Sequence, residues 1–281
     1  MLPSALYIVA TPIGNLGDMT FRAVEILKQV DLIAAEDTRQ TQKLLQLYQI
    51  KNKLISLHEH NEKQATQKIL ACLAAKQAVA LVSDAGTPLI SDPGESVVAA
   101  VWQTGGRVIP IPGPCAAITA LSAAGLATSE FSFVGFLPAK GAQRKKMLAN
   151  LQQETRTLIF YEAPHRIRDF LELASENFGQ ERMAVLAREL TKQFETIRRA
   201  PLKELMAFVA QDENQTKGEF VVLIAGNSAI EKNTLPTKTP QEILQLMLQE
   251  LPLKQAVALT AQITNAKKNE LYALALDISI S

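Results

Sequence analysis

The sequence predicts an α/β protein: a parallel-sheet domain at 1–125, a mixed-sheet domain at 126–228 and a small helical module at 229–281. Three observations predict it. Short β-rich runs alternate with helical patterns through the first 125 residues. From residue 131 a second series of apolar runs leaves too little room for a helix between every pair. After Gly226 no strand pattern remains.

In the first series, strands are expected at 6–10, 32–35, 53–57, 79–83 and 108–111. Between them, 21–29, 41–48, 61–73 and 95–103 carry apolar residues at helical spacing, as Ala23, Ile26, Leu27 and Val30 do in the first. Almost wholly apolar strands separated by helices imply a parallel sheet covered on both faces. The second series lies at 131–136, 157–161, 183–187, 196–199 and 220–225, with the junction near Ser129 and Glu130. Its crowding implies a mixed sheet. The polar stretch 227–240, with two prolines, reads as a tether. Helical segments at 240–250, 253–263 and 267–276 then have the size of a helix-turn-helix module or a dimerisation hairpin.

Composition narrows the function classes. The chain has 281 residues, 47% hydrophobic and 20% charged, which is enough to bury a core without staples. Cys72 and Cys115 form neither a disulfide framework nor a metal-ligand spacing. No apolar run approaches the ~20 residues that cross a bilayer, and Met1 to Pro3 lead straight into a strand pattern, so a cytoplasmic protein without a membrane partner is expected. The formal charge is +1, but 140–203 holds thirteen Lys and Arg against eight Asp and Glu. The rest is net acidic. The basic segment is either a solvated helix surface or a phosphate-binding face.

Ligands of open α/β sheets sit beyond the carboxyl ends of the strands, so the loops there carry the candidates. Thr11-Pro12-Ile13-Gly14-Asn15-Leu16-Gly17-Asp18, after the first strand, has neither dinucleotide-fingerprint spacing nor a Walker lysine. Glu36-Asp37-Thr38-Arg39, after the second, could cap the next helix or serve a substrate. After the third strand, the H-x-H of His58 and His60 could bind a metal, yet no further ligand is evident, and no metal is expected. The fourth strand ends in Ser83 to Gly94, whose two Gly/Pro turns and two aspartates suit a close-approach loop or a rigid turn. The fifth enters Pro110-Ile111-Pro112-Gly113-Pro114-Cys115-Ala116-Ala117, a stiff edge and a helix start with room for a flat ring.

These strings together resemble the tetrapyrrole-methylase-like family of S-adenosylmethionine methyltransferases. They are LYIVATPIGNLGDMT (6–20), AAEDTR (34–39), LVSDAGTPLISDPG (81–94), IPGPCAAITALSAAGL (111–126), GFLPAKG (135–141), LIFYEAPHR (158–166) and LARELTK (186–192). Within the family they are similar to the branch that methylates the ribose 2′-oxygen of a cytidine in the decoding region of 16S ribosomal RNA. The resemblance implies two α/β domains of the tetrapyrrole methylase type, S-adenosylmethionine in the cleft between them, and the RNA of the small ribosomal subunit as partner. It also implies a homodimer. The same resemblance assigns the donor to Pro12, Asp84, Ala85, Gly86, Thr87, Ile90, Ser91, Asp92, Cys115, Ala116, Ala117, Tyr161 and Ala187.

A ribose hydroxyl needs a base or a cation that favours the developing alkoxide. Lys192 is the first candidate, with Arg188 and Glu189 close by; His165 is the second, and Glu36 joins them as a carboxylate at the mouth of the sheet. Lys192 could equally be in a routine ion pair, and His165 could start a helix or touch phosphate. Lys140, Arg144, Lys145, Lys146, Arg166, Arg168, Arg198 and Arg199 are the expected RNA contacts. Two alternatives stand beside this reading: a methylase of a porphyrin-like macrocycle, with an apolar cleft, and a non-catalytic module that binds donor and RNA.

Overall fold

A computed structural model describes residues 2–227, 239–264 and 266–280. Most of the expected tether, 228–238, lies outside the described residues. The chain divides into two compact units, Met1–Ser228 and Ala229–Ser281. The first holds both sheets.

The first lobe runs β1 (Leu6–Val9), α1 (Phe21–Gln29), β2 (Leu32–Ala35), α2 (Thr38–Leu47), β3 (Leu54–Ser56), α3 (Glu62–Ala74), β4 (Val79–Val82), α4 (Glu95–Gln103), β5 (Val108–Ile111) and α5 (Ala116–Ala123). Its sheet has the order β3-β2-β4-β1-β5, all parallel. Strand side chains alternate between faces, and both faces are buried. Tyr7, Val9, Ile33 and Val82 meet Ile26, Leu27 and Leu45 of α1 and α2. Leu6, Ile8, Ala34 and Leu81 meet Ile69, Val97 and Val101 of α3 and α4. Pro110 fits because β5 is an edge strand. Helix α2 starts at Thr38 rather than 41, because Asp37 is its N-cap and accepts the Arg39 N–H at 2.8 Å.

The second lobe runs β6 (Phe131–Phe136), α6 (Gly141–Asn150), β7 (Thr157–Glu162), α7 (Ile167–Phe178), β8 (Met183–Arg188), β9 (Thr196–Pro201), α8 (Leu202–Gln211) and β10 (Phe220–Ile224). The sheet is mixed, as expected: its order is β6-β7-β10-β8-β9, and only β6 and β7 are parallel. Leu158, Phe160, Leu186 and Val222 face Leu148, Phe170 and Leu205 of α6, α7 and α8. The opposite face, with Ile159, Val185, Ala187, Val221 and Leu223, is covered by Ala117, Ala120 and Leu121 of α5, a helix of the first lobe.

The described residues of the second unit form three helices, α9 (Pro240–Glu250), α10 (Leu253–Thr264) and α11 (Lys268–Ile280). A Thr239–Glu242 capping box and Pro240 start α9. Leu244, Val257, Leu271 and Ala275 form its core.

Small residues on α5 let it lie close against the mixed sheet. Ala120→Leu is therefore expected to overpack that contact and cost about 1–3 kcal/mol. Urea denaturation checks this through a lower midpoint at unchanged slope.

Candidate active site

The chain leaves β1 toward β2 and leaves β4 toward β5, so the neighbours β1 and β4 mark the switch point of the first sheet. Their carboxyl-end loops are tied together by Thr11 and Gly86, which exchange backbone hydrogen bonds at 2.9 and 3.0 Å. A cavity of about 400 Å³ opens beside this bridge. The β4 loop and the start of α5 wall it on one side; the ends of β6, β7, β8 and β10 wall it on the other.

Ten of the residues expected to hold the donor line this cavity: Asp84, Ala85, Gly86, Thr87, Ile90, Ser91, Asp92, Cys115, Ala116 and Tyr161. Ala117 lies one residue deeper, and its N–H donates to the Tyr161 hydroxyl at 3.1 Å. Cys115 is the N-cap of α5 but makes no side-chain cap, so Tyr161 takes that role from the other lobe. Pro12 and Ala187 are buried and are not in the cavity wall.

Backbone strain is concentrated at the same place. Among the described residues six other than glycine have left-handed φ. Gln49 and Lys76 directly follow the caps of α2 and α3, a common helix ending. The other four lie in two loops at the cavity: Leu89 (72°) and Ser91 (73°) after β4, and Glu189 (51°) and Thr191 (65°) after β8. Such residues cost about 1–3 kcal/mol each and persist where surrounding contacts impose them.

The charged groups that line both walls are carboxylates, and Lys192, which is not in the wall, reaches them through Glu219. Burial pushes the Asp92 carboxyl up to about 6, against a hydrogen bond from Ser83, with Glu36 and Asp84 raising it further. Glu36 is also raised, first by burial and then by Asp84. Asp37, by contrast, is held at about 2 by its hydrogen bonds from Arg39. The tetrad Glu36–Arg39 thus divides: Glu36 lines the cavity, while Asp37 caps α2. On the second lobe, the Lys192 ammonium sits 2.9 Å from both Glu189 and Glu219. Burial works to lower its pKa, but Glu219 and Glu189 outweigh that and raise it. Burial would likewise raise Glu189, yet Lys192 and the Glu219 N–H bring it below its usual range. Lys192 is a fixed cation, poorly suited to act as a base.

Gly14 allows the first lobe to reach this pair. A Cβ there would lie 2.5 Å from Lys192 Cγ and 3.0 Å from the Leu190 carbonyl. Beside it, the Asn15 N–H donates to Thr191 Oγ1 at 3.0 Å. Arg188 is directed elsewhere: buried, it donates to the carbonyls of Asn214, Lys217 and Phe194 and clips those loops together. His165 is exposed in a short 3-10 turn next to Pro164, which lines the cavity.

The expected RNA contacts fall into two groups. Arg144 is only 7% exposed and donates to the carbonyls of Pro138 and Ala139. Arg166 pairs with buried Glu162 at 2.9 Å and donates to the Leu137 carbonyl. Both are anchors of the loop after β6. Lys140, Lys145, Lys146 and Arg168 are exposed. Arg198 and Arg199 are exposed on opposite faces of β9: Arg198 lies 4.4 Å over the Phe208 ring, and Arg199 lies near Gly125. His58 and His60 line a neighbouring acidic groove of about 780 Å³, with Glu36, Glu59, Glu62 and Asp92. Among the described residues no three His, Cys, Asp or Glu are placed to hold a metal ion. Sequence reasoning missed Glu219, Phe136 and Glu162, all in the cavity wall.

Two predictions test this geometry. Because the folded state holds the Asp92 proton more tightly than the unfolded chain, stability falls as pH rises from about 4 to about 6 and stays reduced above. Asp92→Asn is therefore expected to raise the Tm at pH 8 and to leave it unchanged near pH 4, as read by thermal scans. Gly14→Ala is expected to displace Lys192 and lower kcat about tenfold or more while leaving donor Kd near its original value. Steady-state kinetics and donor titration check it.

The family model of Tetrapyrrole (Corrin/Porphyrin) Methylases matches residues 5–206, and that of the RsmI C-terminal HTH domain matches 235–279. A protein of Escherichia coli O157:H7 named ribosomal RNA small subunit methyltransferase I is 54% identical over 97% of this chain and 94% of its own length. Proteins of the same name from Vibrio cholerae and Haemophilus influenzae are 52% and 50% identical, over 97% and 98% of this chain and 94% and 97% of theirs. Among solved structures, a uroporphyrin-III-C-methyltransferase from Thermus thermophilus shares the fold with a TM-score of 0.56 at 17% identity, covering 79% of this chain and 94% of that one. A cobalt precorrin-4 methyltransferase gives 0.57 at 15%, covering 79% and 95%. On the matches over both sheets and nearly the full length, the chain belongs to the ribosomal RNA small subunit methyltransferase I family of tetrapyrrole methylases.

Proposed function

We propose that this S-adenosylmethionine-dependent ribosomal RNA methyltransferase delivers its methyl group to the ribose 2′-oxygen of a cytidine in the decoding region of 16S RNA, within the small ribosomal subunit. The observation that carries the reading is a fixed ammonium, Lys192, held 2.9 Å from Glu219 in the wall of an acidic cavity. The residues fit the donor. S-adenosylmethionine supplies a methyl carbon already activated on a sulfonium. Asp84 and Asp92, with Glu36, give a cationic donor a wall of complementary charge, and the strained β4 loop presents its backbone to the cavity.

The residues of the chain then position the hydroxyl and handle one proton. Lys192, kept charged by Glu189 and Glu219, favours negative charge developing on a hydroxyl oxygen. Glu36, Asp92 and Glu162 are the wall groups whose carboxyls are shifted toward neutrality; Glu162 is engaged by Arg166 and the Ala163 N–H, which leaves Glu36 and Asp92 to take up the proton. The acidic groove lined by Glu59 and Glu62 repels phosphate, which leaves the second lobe, with Lys140, Lys145, Lys146 and Arg168, as the side RNA approaches. A macrocycle bearing several carboxylates would meet Glu36, Asp84, Asp92 and Glu219, which disfavours the porphyrin-like substrate. Among the described residues no helix is long and apolar enough to cross a membrane. In this reading the protein works in the cytoplasm as a homodimer.

Methyl transfer from labelled donor to small ribosomal subunits, with the label mapped on the RNA, tests the proposal. Label on a cytidine 2′-oxygen is expected; label on a base would overturn it. Lys192→Ala is expected to lower kcat by about a hundredfold to a thousandfold with donor affinity retained.

A further inference from the structure

The β6 strand contains an irregularity whose effect is to aim one side chain. Its register against β7 shifts between Phe133 and Gly135, and Gly135 adopts a φ of +71°. Residues three apart on a regular strand point to opposite faces. The bulge removes that alternation, so Phe133 and Phe136 both meet the Tyr161 ring, edge-on at 5.0 and 5.6 Å. Phe136 lines the cavity, yet it remains 53% exposed.

The backbone that follows is held firmly. The carbonyls of Leu137, Pro138 and Ala139 accept hydrogen bonds from Arg166 and Arg144 at 2.8 to 3.3 Å. Lys140 follows at once, then Lys145 and Lys146 in α6, and all three are exposed. A rigid aromatic at the rim of a cavity, followed by free cations, has the chemistry of single-stranded nucleic-acid recognition: a ring for a base and ammonium groups for the adjoining phosphates. No such role is needed for folding, since Phe136 leaves most of its surface in solvent.

We propose that Phe136 is the stacking platform for the base of the acceptor nucleotide. It orients the attached ribose toward the cavity, while Lys140, Lys145 and Lys146 take the flanking phosphates. This deepens, and rests on, the ribose-methylation reading above.

The test uses the full chain, labelled donor and small ribosomal subunits prepared without the modification. Phe136→Leu is expected to lower kcat/KM for the subunits by about tenfold to a hundredfold, with donor Kd unchanged. Phe136→Trp, made with Trp102→Phe so that the new indole is the only one, is expected to keep activity within about threefold. Its fluorescence should respond to RNA and not to donor. Wild-type kcat/KM in Phe136→Leu would overturn the proposal, as would an equal loss of donor affinity, which would place the donor's adenine on this ring. A loss of activity explained by a changed sedimentation coefficient would assign Phe136 to a subunit contact and overturn it too. Absence of ribose label with the wild-type protein would overturn the underlying reading and this proposal together, whereas normal labelling by Phe136→Leu overturns this proposal alone.

Discussion

The packing of α5 on the mixed sheet is the contact on which the rest of the molecule depends. One face of that sheet has its own helices; the other would be bare apolar surface without Ala117, Ala120 and Leu121 from the first lobe. The hydrogen bond from the Ala117 N–H to Tyr161 fixes the helix start against β7. Both lobes therefore share one buried layer, and the cavity forms at its open edge. The loops that reach across, with Gly14 against Lys192 and Asn15 on Thr191, gain their registration from that layer.

Two electrostatic arrangements meet at the cavity. On the first lobe, carboxylates are crowded together and partly buried without a cation of their own, so Asp92 and Glu36 hold protons more readily than usual. On the second lobe, an ammonium is bracketed by two carboxylates and keeps its proton. The crowded carboxylates suit the positively charged donor proposed above, and Glu162 and Glu219 extend that negative lining onto the second lobe, where Lys192 stands behind Glu219.

Much of the fold was legible in the sequence because apolar periodicity is direct evidence of strand faces. The parallel sheet follows from apolar strands such as Val79–Val82, and the mixed sheet from the lack of room for a helix before β9. The cavity loop at 83–94 was legible from its glycines, prolines and aspartates. The misses have physical causes. Glu219 was overlooked because β10 is antiparallel to β7 and β8, so the residue before it, rather than the one after, reaches the cleft. Arg144 and Arg166 look like free cations in a basic segment, but carbonyls that no sequence pattern marks turn them inward. Phe136 sits inside a recognisable string, yet only the bulge reveals where it points.

The left-handed backbone at Leu89, Ser91, Glu189 and Thr191 bears on how this protein can change over generations. Glycine would relax the backbone at each position but forfeit what the side chains hold: Leu89 packs on the core, Thr191 takes the Asn15 N–H and Glu189 pairs with Lys192. The same exchange would free the loops to wander and take the Ser91 side chain from the cavity wall. Strain at these four positions therefore persists because the residues that bear it make contacts a bare backbone could not, and evolution can soften the loops only by giving those contacts up.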